Sequence, residues 1–469
     1  MTDKRDLPVI SLFSGAMGLD LGLERAGFRI AVALECNPYA IKTIRQNRPS
    51  LPLIDKPIES VTTDEILAAA GLKRGEPIVV AGGPSCQVFS TAGTRQSFDD
   101  PRGTLFEQFA RVVRESQPRF FVMENVRGLI SAAAKHRPLN RRGPGNPPLG
   151  DDEELGSAFR VISDQLRELN YYTVFDVLNA ADYGTPQARQ RLLMLGSRDA
   201  EGIRIPEPTH DRDGRHGRAK WRTLRDAIGD LNEADPEFYR FCPAKEKYLV
   251  QVPEGGNWRD LPSDVQALAM GRAFHSWGGR SGFFRRLSWS KPSPALTTRP
   301  DSKATSLCHP TELRPLSVRE YARVQEFPDD WEVAGMIRKK YEQVGNAVPL
   351  SLGSAAGRAL MKAIAEPSTG GRLGAVECWN LDLLGKLTRR PRTIVNPPRM
   401  RQDTERETIT DWYKKGGRMR RDALEYVPLE LRDLFQAALG RSQADTTSGN
   451  DAPLDAATPE EAELLAAAE

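Results

Sequence analysis

The 469-residue sequence contains few cysteines and histidines and no long apolar run. Its five cysteines are widely scattered and form no CxxC pair, which argues against a zinc site or a disulfide framework and suits a reducing cytoplasm. The N-terminus lacks the apolar core of a signal peptide, and no segment reaches the ~18 apolar residues of a membrane-spanning helix. The net charge is only +3, so the charge of the whole chain does not identify a partner. We therefore expect a cytoplasmic protein that binds neither a metal nor a membrane.

Residues 1–202 alternate between strand-like and helix-like patterns. Short apolar and β-branched runs predict strands at 8–13, 28–34, 78–81, 119–123, 172–178 and 191–196. Apolar spacing predicts helices at 19–26, 61–70, 103–115 and 158–169. Arg, Pro and Gly dominate residues 136–150, which predicts a surface insertion. Repeated units of this kind form an α/β domain, a mostly parallel sheet with helices on both faces.

The composition changes further along the chain. Pro, Gly, Trp and Arg become frequent in residues 203–312, which predicts a second, irregular domain. Helical signals return at 317–325 and 349–365, within a segment 313–366. Residues 371–421 contain 13 Lys and Arg against 6 Asp and Glu, so 367–440 is a basic extension that either contacts phosphates or forms a solvated surface. The polar residues 441–469 have the composition of a disordered tail.

A glycine-containing turn, from Ser14 to Gly18, follows the first predicted strand, and Glu35 follows the second. Glycines let a ligand approach the backbone, and a carboxylate accepts hydrogen bonds from ribose hydroxyls. The glycine-containing turn and Glu35 together therefore indicate a nucleotide-like ligand. The glycine spacing differs from GxGxxG, so the turn is not a dinucleotide fingerprint.

Cys86 lies just after the buried strand at 78–81, beyond a turn made by Gly82, Gly83 and Pro84. The carboxyl edge of an open α/β sheet is where ligands bind, and a thiolate there attacks electron-poor carbon readily. A free cysteine is equally often a small buried hydrophobe. The strand and turn alone leave both interpretations open.

Eight short segments occur in the order typical of the cytosine-C5 DNA methyltransferases. They are Leu12-Phe13-Ser14-Gly15, Glu35, Gly83-Pro84-Ser85-Cys86-Gln87, Asp100 to Leu105, Glu124-Asn125-Val126, Gln187 to Arg191, Arg314 to Glu320 and Gly345 to Pro349. The chain thus resembles the bacterial restriction-modification type of this family over roughly residues 8–362. The resemblance implies a Rossmann-like, S-adenosylmethionine-dependent methyltransferase sheet in residues 1–202, completed by 313–366. It also implies that 203–312 is a smaller target-recognition domain, followed by a C-terminal extension.

The resemblance implies that Cys86 attacks carbon 6 of a cytosine, which makes carbon 5 able to accept a methyl group. Covalent catalysis divides one difficult step into two easier ones. Glu124 then corresponds to the acid that neutralises charge at N3, a role that a carboxyl group of raised pKa can fill. Arg191 corresponds to a contact with the cytosine O2, and Arg189 supports the same site.

The resemblance also implies S-adenosyl-L-methionine as cofactor, with S-adenosyl-L-homocysteine as product. The expected cofactor-binding residues are Phe13, Ser14, Gly15, Gly18, Glu35, Cys36, Ile58, Pro84, Leu105, Asn346 and Val348. The sequence departs from the family pattern at Met17, where a Gly is common, and at Cys36 and Asn37. Pro57-Ile58 replaces the usual Asp-Ile, so either Asp55 makes the contact to the adenine amino group or that contact is missing.

The implied macromolecular partner is double-stranded DNA, from which the target base must swing out. The residues expected to contact DNA are Gln87, Ser90, Arg95, Arg259, Arg285, Arg286 and Arg299. The resemblance further implies a nucleoid-associated bacterial enzyme with a cognate restriction nuclease or other defence proteins as partners. Two alternatives stay open: a tRNA cytosine-C5 methyltransferase, and a DNA-binding regulator with secondary methylation activity.

Overall fold

The computed structural model describes residues 6–84, 105–135, 137, 141, 146–275, 281–367 and 371–378. Cys86, Gln87, Ser90, Arg95, most of the 136–150 insertion and nearly all of the C-terminal extension and tail lie outside these residues. None of the helices within the described ranges is both long and apolar enough to cross a bilayer.

An eight-stranded sheet forms the centre of the fold. Its strand order is β12-β6-β8-β5-β4-β1-β2-β3, and all neighbours pair in parallel except β8, which runs antiparallel to both β5 and β6. The strands within the described residues, including four short ones outside this sheet, are β1 Pro8–Leu12, β2 Arg29–Leu34, β3 Leu53–Ile54, β4 Val79–Gly82, β5 Phe120–Val126, β6 Tyr172–Asn179, β7 Gln187–Ala188, β8 Gln190–Ser197, β9 His210–Asp211, β10 Ala219–Lys220, β11 Ser293–Pro294 and β12 Val376–Cys378. This architecture confirms the predicted Rossmann-like α/β class.

Helices cover both faces of the sheet, because alternate residues of its apolar strands point to opposite sides. One face packs against α1, α9, α10 and α11, and the other against α3, α4 and α5. The α-helices are α1 Gly18–Arg25, α2 Pro38–Asn47, α3 Thr63–Ala70, α4 Leu105–Ser116, α5 Ser157–Glu168, α6 Leu224–Ile228, α7 Pro243–Leu249, α8 Ser263–Met270, α9 Val318–Val324, α10 Ile337–Asn346 and α11 Leu350–Ala365.

Among the described residues, the predicted irregular region contains short elements: α6 to α8, the paired strands β9 and β10, and β11. It has a small apolar core of its own, in which Trp258, Phe284 and Cys308 are buried together. A separate core is the physical mark of a separately packed unit. Because β11 pairs with β7, the end of this region lies beside the residues that lead into β8.

Two observed boundaries differ from the sequence predictions. The predicted strand ending at Met123 continues to Val126, because β8 pairs with it through the register Val126↔Arg191; Glu124 therefore lies within the strand rather than after it. The sheet also continues beyond residue 366, since β12 pairs in parallel with β6. The first described part of the predicted basic extension is thus an edge strand.

Candidate active site

Glu124 projects from β5 near the carboxyl edge of the sheet. Its Oε1 accepts a hydrogen bond from Nε of Arg191 at 2.8 Å, and the two side chains are only 12% and 15% exposed. Glu124 is paired with Leu193, so Arg191 is its diagonal neighbour on the antiparallel strand β8. Diagonal side chains on one face of an antiparallel pair lie within reach of each other when they are long. The strand register therefore holds the acid and the guanidinium together.

Burial raises the pKa of Glu124 above its ordinary value, while the positive charges of Arg191 and Arg189 act in the opposite direction. Burial is the larger effect, because removing a carboxylate from water disfavours its charged form. A carboxyl group in this state holds a proton more readily than one at the surface. A carboxyl group with a raised pKa can act as a proton or strong hydrogen-bond donor.

The chain leaving β4 passes directly against Glu124. A Cβ placed on Gly83 would lie 3.0 Å from Oε2 of Glu124, so only glycine leaves full room for this carboxylate. Nδ2 of Asn125 donates a hydrogen bond of 3.1 Å to the carbonyl oxygen of Pro84. Asn125 lies in a family motif but was not predicted to have a function of its own. Its contact fixes the backbone two residues before Cys86.

Arg189 lies on the same side as the acid but is fully enclosed. Its guanidinium donates to the carbonyl oxygens of Leu296 at 2.9 Å and Gly345 at 2.7 Å. One side chain thus joins the link between β7 and β8, the end of the irregular region and the last family motif. Of its nitrogens, Nε has no hydrogen-bond partner within the described chain. The geometry makes Arg189 a positioning residue for the segments around Glu124 and Arg191.

A pair of buried glutamines strengthens the same junction. Nε2 of Gln187 donates to Oε1 of Gln325 at 2.9 Å, and Oε1 of Gln187 accepts from the amide of Leu296 at 2.9 Å. Nε2 of Gln325 donates in turn to the carbonyl oxygens of Val344 and Ala347. Gln325 was not predicted from the sequence, because it follows α9, a short helix with three charged residues that gives no signal of a buried amide. Buried amides that are fully hydrogen-bonded rigidify the segments they join.

The turn after β1 and the end of β2 form a polar cradle. Glu35 accepts hydrogen bonds from the amide of Gly15 at 2.7 Å and from those of Cys36 and Asn37 at 2.9 and 2.7 Å. Gly15 has φ +54, a conformation that side chains disfavour. These contacts orient the Glu35 carboxylate, and its remaining lone pairs can accept hydrogen bonds from hydroxyl groups.

The other predicted cofactor residues surround this cradle. Phe13, Ile58 and Leu105 belong to or pack against one apolar cluster on the α3–α4 face of the sheet. A Cβ on Gly18 would lie 2.2 Å from the carbonyl oxygen of Val348, which brings the last family motif beside the first. A carboxylate beside an apolar wall suits a nucleoside, so the residues fit S-adenosylmethionine.

Three residues near this cradle have other partners or other surroundings. Asp55, the candidate for the adenine contact, pairs with Arg45 at 2.7 Å on the surface. Ser14 shares a hydrogen bond of 2.8 Å with Ser11 through their hydroxyl groups. Cys36 is exposed, but its thiol is partly shielded from water. This partial burial, together with the negative charge of Glu35, raises the pKa of the thiol.

The structure separates the predicted DNA contacts of the irregular region. Arg286 is buried, and its guanidinium donates to carbonyl oxygens of Leu249, Val252 and His309, so it braces this region and points inward rather than to the surface. Arg285 is partly buried and donates to Ser281. Because Arg285 and Arg286 are adjacent and identical, the sequence did not indicate which of the two side chains points inward.

Two of the predicted arginines stay at the surface. The guanidinium of Arg259 lies 5.0 Å from the ring centre of Trp258, and that of Arg299 pairs with Asp301 while remaining 48% exposed.

Comparisons with known proteins agree with this geometry. Residues 7–362 match the family model described as C-5 cytosine-specific DNA methylase. The chain is 38% identical over 362 residues to the Type II methyltransferase M.Eco47II of Escherichia coli, covering 75% of this chain and 78% of the relative. It is 34% identical over 359 residues to the Type II methyltransferase M.Sau96I of Staphylococcus aureus, covering 76% of both. A putative DNA modification methyltransferase encoded within an Escherichia coli prophage has the same fold, with a TM-score of 0.54 at 23% identity over 77% of this chain and all of that one.

Proposed function

This chain belongs to the C-5 cytosine-specific DNA methylase family and is therefore a DNA cytosine-C5 methyltransferase; we propose that it forms a covalent bond from Cys86 to a flipped cytosine in a specific duplex sequence. The observation that carries this proposal is the position of Glu124. This buried acid lies against Gly83, and its neighbour Asn125 fixes Pro84, two residues before the proposed nucleophile.

The proposed reaction begins when the Cys86 thiolate attacks carbon 6 of the cytosine. A new S–C6 bond forms, the electrons of the C5–C6 double bond move into the ring, and Glu124 donates a proton at N3. Arg191 holds the Glu124 carboxyl in place and stabilises charge at the cytosine O2. Once carbon 5 has accepted a methyl group, a base removes the C5 proton and the S–C6 bond breaks as the C5–C6 double bond re-forms. The thiolate of Cys86 is released, and the proton at N3 returns to Glu124.

S-adenosylmethionine, when bound, would supply the methyl group that carbon 5 accepts. The residues that would hold it are Glu35, beside the Gly15 turn, and the apolar group of Phe13, Ile58 and Leu105. Val348 would close the same pocket from the last family motif, since it lies against Gly18. Glu35 would accept from the ribose hydroxyls, and the apolar group would cover the adenine.

We further propose that the enzyme modifies host DNA in a Type II restriction-modification system, with a nuclease of the same specificity as its functional partner. The relatives M.Eco47II and M.Sau96I carry Type II methyltransferase names and cover most of this chain. The separate core of the irregular region supports a target-recognition role for residues 203–312.

The test is nucleoside mass spectrometry after incubation of the full chain with S-adenosylmethionine and either duplex DNA or tRNA. We expect 5-methylcytosine in the duplex, none in tRNA, and none in either from Cys86→Ala. Methylation confined to tRNA, or at another cytosine atom, would overturn the proposal. Bisulfite sequencing of the same duplex would then give the target sequence.

A further inference from the structure

A groove runs along one side of α10, opposite the segment that carries Thr298 and Arg299. Its volume is about 240 Å³, and it is lined by Thr298, Arg299, Arg338, Lys339, Glu342 and Asn346. Arg338, Glu342 and Asn346 are spaced four residues apart and thus lie along one face of the helix. From Arg338 to Asn346 the groove extends for ~12 Å, given the rise of an α-helix.

The inner end of the groove adjoins the candidate active site. There the two walls touch, since a Cβ on Gly345 would lie 2.8 Å from the carbonyl oxygen of Thr297. Arg189 bonds both walls, through the carbonyl oxygens of Leu296 and Gly345. The groove therefore leads outward from the rigid junction that supports Glu124 and Arg191.

The outer end of the groove carries positive charge that no residue in the described ranges neutralises. Arg338 is exposed and has no side-chain hydrogen bond or ion pair with any residue in the described ranges. Arg338 and Lys339 occupy the first turn of α10, which contains no acidic residue and whose N-cap residue Met336 makes no side-chain cap. Cations at a helix N-terminus are unfavourable because they meet the positive end of the helix dipole. A bound anion would relieve both the charge and the uncapped amides.

Across the groove, Arg299 presents a second guanidinium. It pairs with Asp301 at 2.9 Å and stays about half exposed, so it retains donors for another acceptor. Lys339 pairs with Glu342 at 2.8 Å, which leaves Arg299 and Arg338 as the cations most available to a ligand. Two guanidinium groups on opposite walls match the phosphates of one strand.

We propose that this groove holds the sugar-phosphate backbone of the substrate duplex, with Arg338 and Arg299 each contacting a phosphate. The proposal rests on the proposed function in that duplex DNA is the substrate. Contacts of this kind position the DNA without reading its sequence. Arg338 accordingly sets the register of the duplex at the active site and contributes equally to binding of target and non-target sequences.

The test is fluorescence-anisotropy titration of a labelled duplex with the full chain and its Arg338→Gln variant at several salt concentrations. Loss of one phosphate contact lowers the slope of log K against log salt by about 0.9. We expect this change, with binding weakened about three- to tenfold at 0.1 M salt for target and non-target duplexes alike. Arg338→Lys should restore most of the slope, since it keeps the charge.

The matched control is Arg114→Gln, an exposed arginine on α4, on the opposite face of the sheet. It should leave both affinity and slope unchanged, and binding of S-adenosylhomocysteine should be the same in all variants. The proposal is overturned if Arg338→Gln keeps the wild-type slope or weakens only S-adenosylhomocysteine binding. That outcome is distinct from failure of the proposed function, which would appear as absence of duplex methylation by the unaltered chain.

Discussion

At the scale of single residues, burial raises the pKa of Glu124, and the charges of Arg191 and Arg189 lower it by less. Its protonated form is the active one in the proposed step, so activity should fall as pH rises through its raised pKa. Glu124→Gln should lower kcat by about 10²- to 10⁴-fold, the usual contribution of general acid catalysis, while duplex binding stays within about twofold. Methylation rates across a pH series check this. Glu168→Gln, at the exposed end of α5, is the control and should retain wild-type rates.

Asp20 is a second buried acid, one that the proposed mechanism does not use. It is 1% exposed, neither carboxylate oxygen has a hydrogen-bond partner in the described ranges, and burial raises its pKa to about 7. The folded state therefore holds this proton more tightly than the unfolded chain, and stability is lost as pH rises from about 4 towards 7.

The side chain of Asp20→Asn cannot ionise, so this variant should not lose stability in this way as pH rises. Relative to wild type, its free energy of unfolding should rise by about 2 to 3 kcal/mol between pH 5 and pH 8. Urea denaturation at both pH values measures the difference, in which the other titrating groups cancel. A constant difference between the two proteins would show that Asp20 is ionised in the fold.

At the scale of elements, α1 and α11 are held together by glycines. A Cβ on Gly22 would lie 2.4 Å from the carbonyl oxygen of Leu350 and 2.7 Å from Cα of Gly353. Both neighbours are backbone atoms, which cannot swing aside. Gly22→Ala should therefore push the helices apart and destabilise the fold by about 1 to 3 kcal/mol, despite the better helix propensity of alanine.

Thermal denaturation of Gly22→Ala, together with its affinity for S-adenosylhomocysteine, tests this contact. Separation of α11 from α1 would also move Val348 away from Gly18, so cofactor affinity should fall with stability. An alanine variant as stable as wild type would contradict the close approach of the two helices.

Helices and strands with strong apolar periodicity could be predicted from the sequence. Elements whose own residues show little apolar periodicity could not. Strands β1, β4 and β6 and helices α4 and α5 lie within a few residues of their predicted bounds. Helix α10 was missed because its segment is highly charged and Met336 supplies no capping signal. Helix α2 was also missed, although Asn37 and the following proline are typical of a helix start.

At the scale of the whole molecule, the order of the motifs was enough to predict the family and the pairing of the first motif with the last. It could not predict which arginines of the irregular region are structural. Arg286 binds main-chain carbonyls because the small core places it inside, and such a placement depends on long-range packing. The role of Arg189 in joining three distant segments was hidden for the same reason.

The short strand β12 gives a whole-molecule prediction. It adds parallel pairing to β6 through Val376↔Thr173 and Cys378↔Phe175, and Val376 is buried. A chain ending at residue 366 should thus melt roughly a few degrees below one ending at residue 378, because it loses these hydrogen bonds and this apolar burial. Calorimetry of the two truncated chains makes the comparison. Equal melting temperatures would show that β12 contributes nothing to the sheet.

The most direct test of the account is a covalent trap on duplex DNA in which the target cytosine carries fluorine at carbon 5. Because methyl transfer leaves no proton to remove from that carbon, the bond between sulfur and carbon 6 cannot break. Incubation with S-adenosylmethionine followed by intact-mass and peptide mass spectrometry should give a one-to-one adduct attached to Cys86. The adduct should be absent from Cys86→Ala and strongly slowed in Glu124→Gln. No adduct with the wild-type chain, or an adduct that persists in Cys86→Ala, would contradict the central claim.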